Sequence, residues 1–183
     1  SYDERSLMHD FLAESVRCFQ VGRTQDAQRY CLQALVAAPA SSEAWGFLIS
    51  LGSALSSQAS TLRAAAISIR LVPTRVDLLS AAALACAKFG QFALASSIQH
   101  RLISLEPSVD THWLRLSDWA CRALQFSAAV RAADRVVCIG ANAARGFSAL
   151  ADIAYQQNRF FDAASQLKRS LSQQPDDPSA LTR

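Results

Sequence analysis

The sequence has little glycine and proline and no strong excess of charge of either sign. Six glycines and five prolines in 183 residues are too few for the many turns of an all-β domain. The 18 basic and 15 acidic residues leave a formal charge of +3, which gives no reason to expect nucleic acid or a membrane surface as the partner. With 51% hydrophobic residues, many of them alanine, the composition instead favours a helical protein with a packed core.

Signatures of catalysis and of bound cofactors are also missing. The sequence contains no G-x-S-x-G, no phosphate loop, no G-x-G-x-x-G and no H-E-x-x-H. Its five cysteines form no C-x-x-C pair, and no histidine is spaced with them as in a zinc site. We therefore predict a protein that is not an enzyme and has no cofactor, no metal and no small-molecule substrate. Buried, reduced thiols predict a cytoplasmic location, although an oxidising compartment would allow disulfides.

One long uncharged run, residues 44–62, raises the question of a membrane span. It contains five serines, two glycines, a glutamine and a threonine, so it is too polar for lipid, and we predict no membrane span. No secretory signal pattern opens the chain, and its first residue is serine. We expect the chain to be part of a larger protein, perhaps a bacterial one.

A period of 34 residues runs through the sequence. Pro39, Pro73 and Pro107 are each 34 residues apart, and Pro175 follows after twice that interval, with Ala141 in the missing place. Two further columns keep the same phase. Large apolar residues recur as Phe11, Trp45, Leu79, Trp113 and Phe147, and mostly small residues recur as Ala27, Thr61, Ala95, Ala129 and Ala163.

Within each period the apolar spacing predicts two helices. Trp113, Leu116, Ala120 and Leu124 lie on one helical face, and a second helical pattern starts near Ala129. The break between the two patterns carries a turn residue in several units, such as Gly22, and the proline column stops the second helix. Helices of about 12 to 14 residues are marginal alone, so they must be stabilised by packing on their neighbours.

This pattern resembles the tetratricopeptide repeat family in its helix-turn-helix period and in its aromatic, alanine and proline columns. The resemblance implies an all-α fold: a right-handed superhelical solenoid of antiparallel helix pairs that fills residues 1–183 as one domain. The units are expected at about 8–41, 42–75, 76–109, 110–143 and 144–177. The second unit departs most from the pattern, because it has Thr61 in the alanine column, and we expect a longer turn or a looser second helix there. Residues 178–183 match the start of a further helix.

In this family the first helices of the units line a concave groove, so the resemblance also implies candidate binding residues. In the first three units these are Leu12, Val16, Phe19, Ser50, Leu84 and Lys88. In the last two units they are Leu114, Asp118, Arg122, Arg145, Asp152 and Tyr155. Ser148, Cys121 and Gln156 belong to the same columns. The earlier part is mainly apolar and the later part carries mixed charge, and Asp118 and Asp152 are expected to contact a partner or water.

The predicted function is therefore a protein-interaction scaffold or adaptor that binds a peptide or protein. Three alternatives stay open from the sequence. The repeats could assemble with copies of themselves into a homo-oligomer, or they could be the accessory region of a transferase whose catalytic domain lies outside this chain. Arginines on the second helices could bind an anionic polymer, but exposed helical arginines usually serve solvation, so nucleic acid is not the expected partner.

Overall fold

The computed structural model describes residues 2–173, which form ten helices and no strand. The chain divides into two compact units, residues 1–91 and 92–183, which we call the N-terminal unit and the C-terminal unit. The helices of the N-terminal unit are α1 (Tyr2–Gln20), α2 (Thr24–Ala37), α3 (Ser42–Ala54), α4 (Gln58–Leu71) and α5 (Val76–Lys88). Those of the C-terminal unit are α6 (Phe92–Leu105), α7 (Asp110–Arg122), α8 (Phe126–Ile139), α9 (Ala143–Gln156) and α10 (Phe160–Gln173). The all-α prediction is confirmed.

The second helix of every pair starts 34 residues after the previous one. These start positions are Thr24, Gln58, Phe92, Phe126 and Phe160. Each of these helices is 14 residues long, including α4. The three residues 55–57 separate α3 from α4, as many as separate α1 from α2. The expectation of a longer turn or a looser helix in the second unit is therefore wrong.

The turn inside each helix pair has the same backbone conformation. Its middle residue has a positive φ of 54–79°, in the left-handed region, and the residues at this position are Gly22, Ser56, Gly90, Leu124 and Asn158. The next residue returns its N–H to a carbonyl five positions earlier, as in the bond from Gln125 N to Ala120 O at 2.8 Å. This bond ends the first helix in the manner of a Schellman motif. Glycine and asparagine adopt this conformation easily, whereas Leu124 does so at a cost.

The proline and tryptophan columns meet at the turns between pairs. Trp45 Nε1 donates to Pro39 O at 2.8 Å, and Trp113 Nε1 donates to Pro107 O at 2.9 Å. A large aromatic side chain thus satisfies a carbonyl that the ended helix leaves without an intrahelical partner. Where the proline is missing, Gly140 ends α8 in the left-handed conformation with φ 83°.

The small-residue column lies where the two helices of a pair cross. Ala27, Ala95 and Ala129 are fully buried, and so is Thr61. The larger Thr61 fits because Gly52 faces it from α3. A Cβ built on Gly52 would lie 2.4 Å from Thr61 Oγ1, so the glycine provides the space that the threonine fills. This local exchange explains why α4 keeps the common length.

Both units have a core of small and aliphatic side chains. In the N-terminal unit Cys18, Ala27 and Leu51 pack together, and in the C-terminal unit a larger cluster includes Ala129 and Ile153. Buried serine hydroxyls also connect helix pairs: Ser117 Oγ donates to Ala129 O at 3.1 Å. The interior therefore depends on close backbone approach more than on large side chains.

Several predictions concern residues outside the described range. Pro175, the end of the fifth predicted unit and the further helix expected at residues 178–183 all lie beyond residue 173. The arrangement of all five units as one continuous right-handed solenoid, with the predicted unit boundaries, stays a prediction.

Candidate partner-binding surface

A concave depression of about 700 Å³ lies in the C-terminal unit, between α7 and α9. All six candidate residues predicted for the last two units line it. From α7 these are Leu114, Asp118 and Arg122, and from α9 they are Arg145, Asp152 and Tyr155. Successive first helices thus bring residues from two repeats to one surface, as the spacing predicts. Whether this surface binds a partner stays a prediction.

The charged side chains of α7 are held by contacts on the helix surface. Arg122 Nε donates to Asp118 Oδ1 at 3.0 Å, one helical turn away. The guanidinium of Arg122 also lies 5.4 Å from the centre of the Phe92 ring. A planar cation that stacks on an aromatic ring loses less conformational freedom when it binds a ligand. Arg122 is therefore held in place at one end of the depression.

Two carboxylates lie near the centre of the depression, close to the thiol of Cys121. Burial raises the pKa of Cys121, and the charges of Asp118 and Asp152 raise it further, while Arg122 opposes them. Because charge effects of this kind fall with distance, the pKa shift shows that both carboxylates lie near the same sulfur. The thiol therefore stays protonated at neutral pH, and it is a poor nucleophile.

The hydroxyl groups on the floor of the depression serve the fold. Ser117 is bonded to the carbonyl of Ala129, as described above. Ser148 Oγ lies 3.0 Å from Ser170 Oγ, and Ser170 Oγ donates to Ala144 O at 2.8 Å. These buried bonds fix α9 against α10 and leave the charged and aromatic groups to contact a ligand.

Tyr155 stands at the edge of the depression and is 64% exposed. Its ring makes an edge-to-face contact with Phe160, with 5.4 Å between the ring centres. An exposed tyrosine with one side fixed offers contact area at a small entropy cost, as in many binding surfaces. Tyr155 and Phe160 together form an aromatic edge beside the charged floor.

The remaining six candidates lie on the first helices of the N-terminal unit. Leu12 and Val16 are half-buried, whereas Phe19, Ser50, Leu84 and Lys88 are exposed. Phe19 meets Phe47 edge to face at 6.2 Å. Lys88 Nζ donates to the backbone carbonyl of Ser53, so the charge that distinguished this position already has a partner.

Three residues that line the depression were not among the predicted columns. Ser117, Ala149 and Ile153 lie on its floor and sides. Ser117 follows Leu114 by three positions and Ala149 follows Arg145 by four, so both lie on helical faces already identified. Their helical spacing was therefore a usable signal, but their small or apolar side chains gave no chemical reason to select them.

Other kinds of site were sought in the same residues. Within residues 2–173 no group of three or more histidines, cysteines or acidic residues is placed to hold a metal ion. No helix in the described part of the chain is long and apolar enough to cross a membrane.

Comparisons with known proteins identify the fold. No protein-family model matches the sequence, and no curated protein is similar to it. Among solved structures, YrrB, a tetratricopeptide-repeat protein with an unusual peptide-binding site, has a TM-score of 0.72 at 14% identity, over 94% of this chain and 89% of that chain. The MamA protein has a TM-score of 0.75 at 13% identity, over 94% of both chains.

A third similar structure is the C-terminal part of a repeat-containing protein from Cytophaga hutchinsonii. Its TM-score is 0.77 at 13% identity, and the similarity covers 96% of this chain and 72% of that chain. At such low identity these matches establish the fold alone. The chain therefore has the tetratricopeptide-repeat fold that the columns of its sequence predict.

Proposed function

We propose that the protein is an interaction module and that its C-terminal unit binds an extended segment of a partner protein between α7 and α9. The observation that carries this proposal is the convergence of six side chains from two repeats on one concave surface. The surface offers two arginines, two aspartates and an exposed tyrosine above a floor whose hydroxyls are already bonded. The peptide-binding site of YrrB, which has the same fold, supports the proposal.

The chemistry of the depression favours binding over catalysis. Asp118 is paired with Arg122, and the Cys121 thiol is buried with a raised pKa. A general base or nucleophile needs a pKa close to the working pH and a partner that activates it, and neither cysteine nor aspartate meets that condition here. Charged groups around a concave surface can instead select and orient a peptide.

The proposal can be tested with peptides selected from a phage-displayed library of random 12-mers on the immobilised 183-residue protein. The selected peptides are then titrated by calorimetry against wild-type protein and variants. Arg145→Glu and Tyr155→Ala should each lower affinity by about five- to tenfold, the size expected when a central contact is lost. Arg131→Glu is the matched control, because Arg131 is an exposed arginine of α8 outside the depression.

The two charge reversals must differ for the proposal to stand. Both variants should keep the helical circular dichroism and melting temperature of the wild type, since both side chains are exposed. Equal effects of Arg145→Glu and Arg131→Glu would show a general charge effect. No effect of either Arg145→Glu or Tyr155→Ala would show that the peptides bind elsewhere.

Self-association is a second candidate role, and the exposed face of α10 favours it. Phe160 and Phe161 are 56% and 87% exposed, which is unusual for large apolar side chains on a repeat helix. The corresponding residue Phe126 packs against the core of the same unit. Light scattering over a range of concentrations tests this role: a mass that doubles with concentration, and that Phe160→Ser with Phe161→Ser returns to 19.8 kDa, would support it.

A further inference from the structure

We infer that the segment bound between α7 and α9 carries an acidic and a basic side chain three positions apart and adopts a polyproline II-like conformation. The inference rests on the proposed function, since it assumes that a peptide occupies the depression. It concerns the chemistry of that peptide, which follows from the order of charges along the two helices.

The helices α7 and α9 run in the same direction, because each is followed by a tight turn and a returning helix. Residues 34 positions apart therefore lie at the same level of the depression. Asp118 and Asp152 form such a level, and the shared effect of their charges on Cys121 agrees with this placement. The depression thus has a pair of carboxylates at one level.

A cation lies at the opposite end of the same surface. Arg145 precedes Asp152 by seven positions on α9, which corresponds to about 10.5 Å along the helix axis at 1.5 Å per residue. Between these two levels the lining includes the apolar side chains of Leu114 and Ala149. A ligand that follows the helices therefore meets a positive charge, an apolar stretch and then the two carboxylates.

The separation of about 10.5 Å selects among peptide conformations. In a polyproline II helix, side chains at positions i and i+3 share a face and are about 9.3 Å apart. In a β-strand the same-face neighbours are i+2 and i+4, about 6.8 and 13.6 Å apart, which match the site less well. The polyproline II spacing is the closest of these to the separation of Arg145 from the carboxylate pair.

A helical ligand would match the spacing with positions i and i+7, but it is wide for the depression. Seven residues of helix with a diameter of 10 Å fill roughly 800 Å³ before longer side chains are counted. The depression measures about 700 Å³. An extended chain of four residues fits within it, so we assign an extended ligand with an acidic group opposite Arg145 and a basic group opposite Asp152.

The test uses blocked nine-residue peptides of proline and alanine that contain one glutamate and one lysine. The separation between the two charges varies from one to seven positions, in both orders, and affinity is measured from amide shifts of the labelled protein. Separation by three should bind about threefold or more tighter than separation by two or four, because two exposed ion pairs form together.

Double-mutant cycles identify which side chains form each pair. Replacing peptide glutamate by glutamine should cost affinity in wild-type protein and have little effect in the Arg145→Gln variant. Replacing peptide lysine by methionine should behave in the same way with Asp152→Asn. The control variant Arg131→Gln should leave both costs unchanged.

The outcomes separate this inference from the proposed function. Affinity that is independent of charge separation, or highest at seven, would overturn the inference, as would the absence of coupling to Arg145 and Asp152. If library-selected peptides still lost affinity with Tyr155→Ala, the proposed function would stand without the inferred charge pattern. If no peptide of either kind bound in the depression, both would fail.

Discussion

Gly52 and Thr61 form the contact at which the second helix pair differs from the others, and changing both residues tests how these pairs pack. A Cβ on Gly52 would lie 2.4 Å from Thr61 Oγ1 and 3.4 Å from Thr61 Cβ. The first distance is far too short for non-bonded atoms, so Gly52→Ala requires a movement. Thr61 cannot rotate freely, because its hydroxyl donates to Ser57 O at 2.7 Å.

The expected magnitude follows from two opposing effects. Replacing a glycine inside a helix by alanine ordinarily stabilises the helix by about 1 kcal/mol. Overpacking of a buried contact costs about 1–3 kcal/mol, and loss of the Thr61 hydrogen bond would add about 1 kcal/mol. We therefore expect Gly52→Ala to lower the free energy of unfolding by about 1–2 kcal/mol, against the normal preference for alanine.

The sign should reverse when Thr61 is also shortened. In a Thr61→Ala background the short contact to Oγ1 is gone, and Gly52→Ala should raise the free energy of unfolding by about 0.5–1 kcal/mol. Urea unfolding followed by circular dichroism measures all four proteins of this cycle. If Gly52→Ala stabilises the wild type and the Thr61→Ala protein equally, the packing argument is wrong.

Three further predictions concern the turns, the crossing points and the thiols. Leu124→Gly should raise the free energy of unfolding by about 0.5–1 kcal/mol in urea, because the left-handed leucine is 71% exposed and gains little from packing; a loss of stability would refute the assigned strain. Ala95→Trp and Ala129→Trp should each lower it by about 1–3 kcal/mol through overpacking, and wild-type melting of both would show that the register is wrong. Burial raises the pKa of Cys31 to about 12, so its contribution to stability is complete below the unfolded value near 9 and is lost as pH rises from 9 towards 12; a Cys31→Ala variant should show less of this loss. In native protein Cys138, the exposed cysteine, should react with a thiol reagent long before the buried Cys31, and equal rates would contradict the packing.

The helical period could be predicted because it depends on local chemistry repeated many times. Proline ends a helix wherever it occurs, and a small residue is needed wherever two helices cross closely, so the columns give the fold without knowledge of any contact. The one wrong expectation, a loose second unit, came from treating Thr61 alone. Its partner Gly52 is nine positions earlier, and only the packing of α3 on α4 shows that the two sizes compensate.

The candidate site could be predicted only in part for a related reason. Helical spacing is enough to identify a face, and it placed Asp118 and Asp152 on one surface. It could not show that Arg122 is held by both Asp118 and Phe92, because Phe92 lies 30 positions earlier in the sequence. Nor could it show that Lys88 already donates to Ser53 O, since a backbone carbonyl has no sequence signal.

The central claim is that the depression between α7 and α9 binds an extended peptide segment. Its most direct test is the map of backbone amide shifts in isotope-labelled protein when a library-selected peptide is added. The account predicts that the largest shifts fall on both α7 and α9, at the levels of Arg145 and Asp152, and that the Arg145→Glu variant loses them. Largest shifts on the outer surfaces of α8 and α10, with α7 and α9 unchanged, would contradict it.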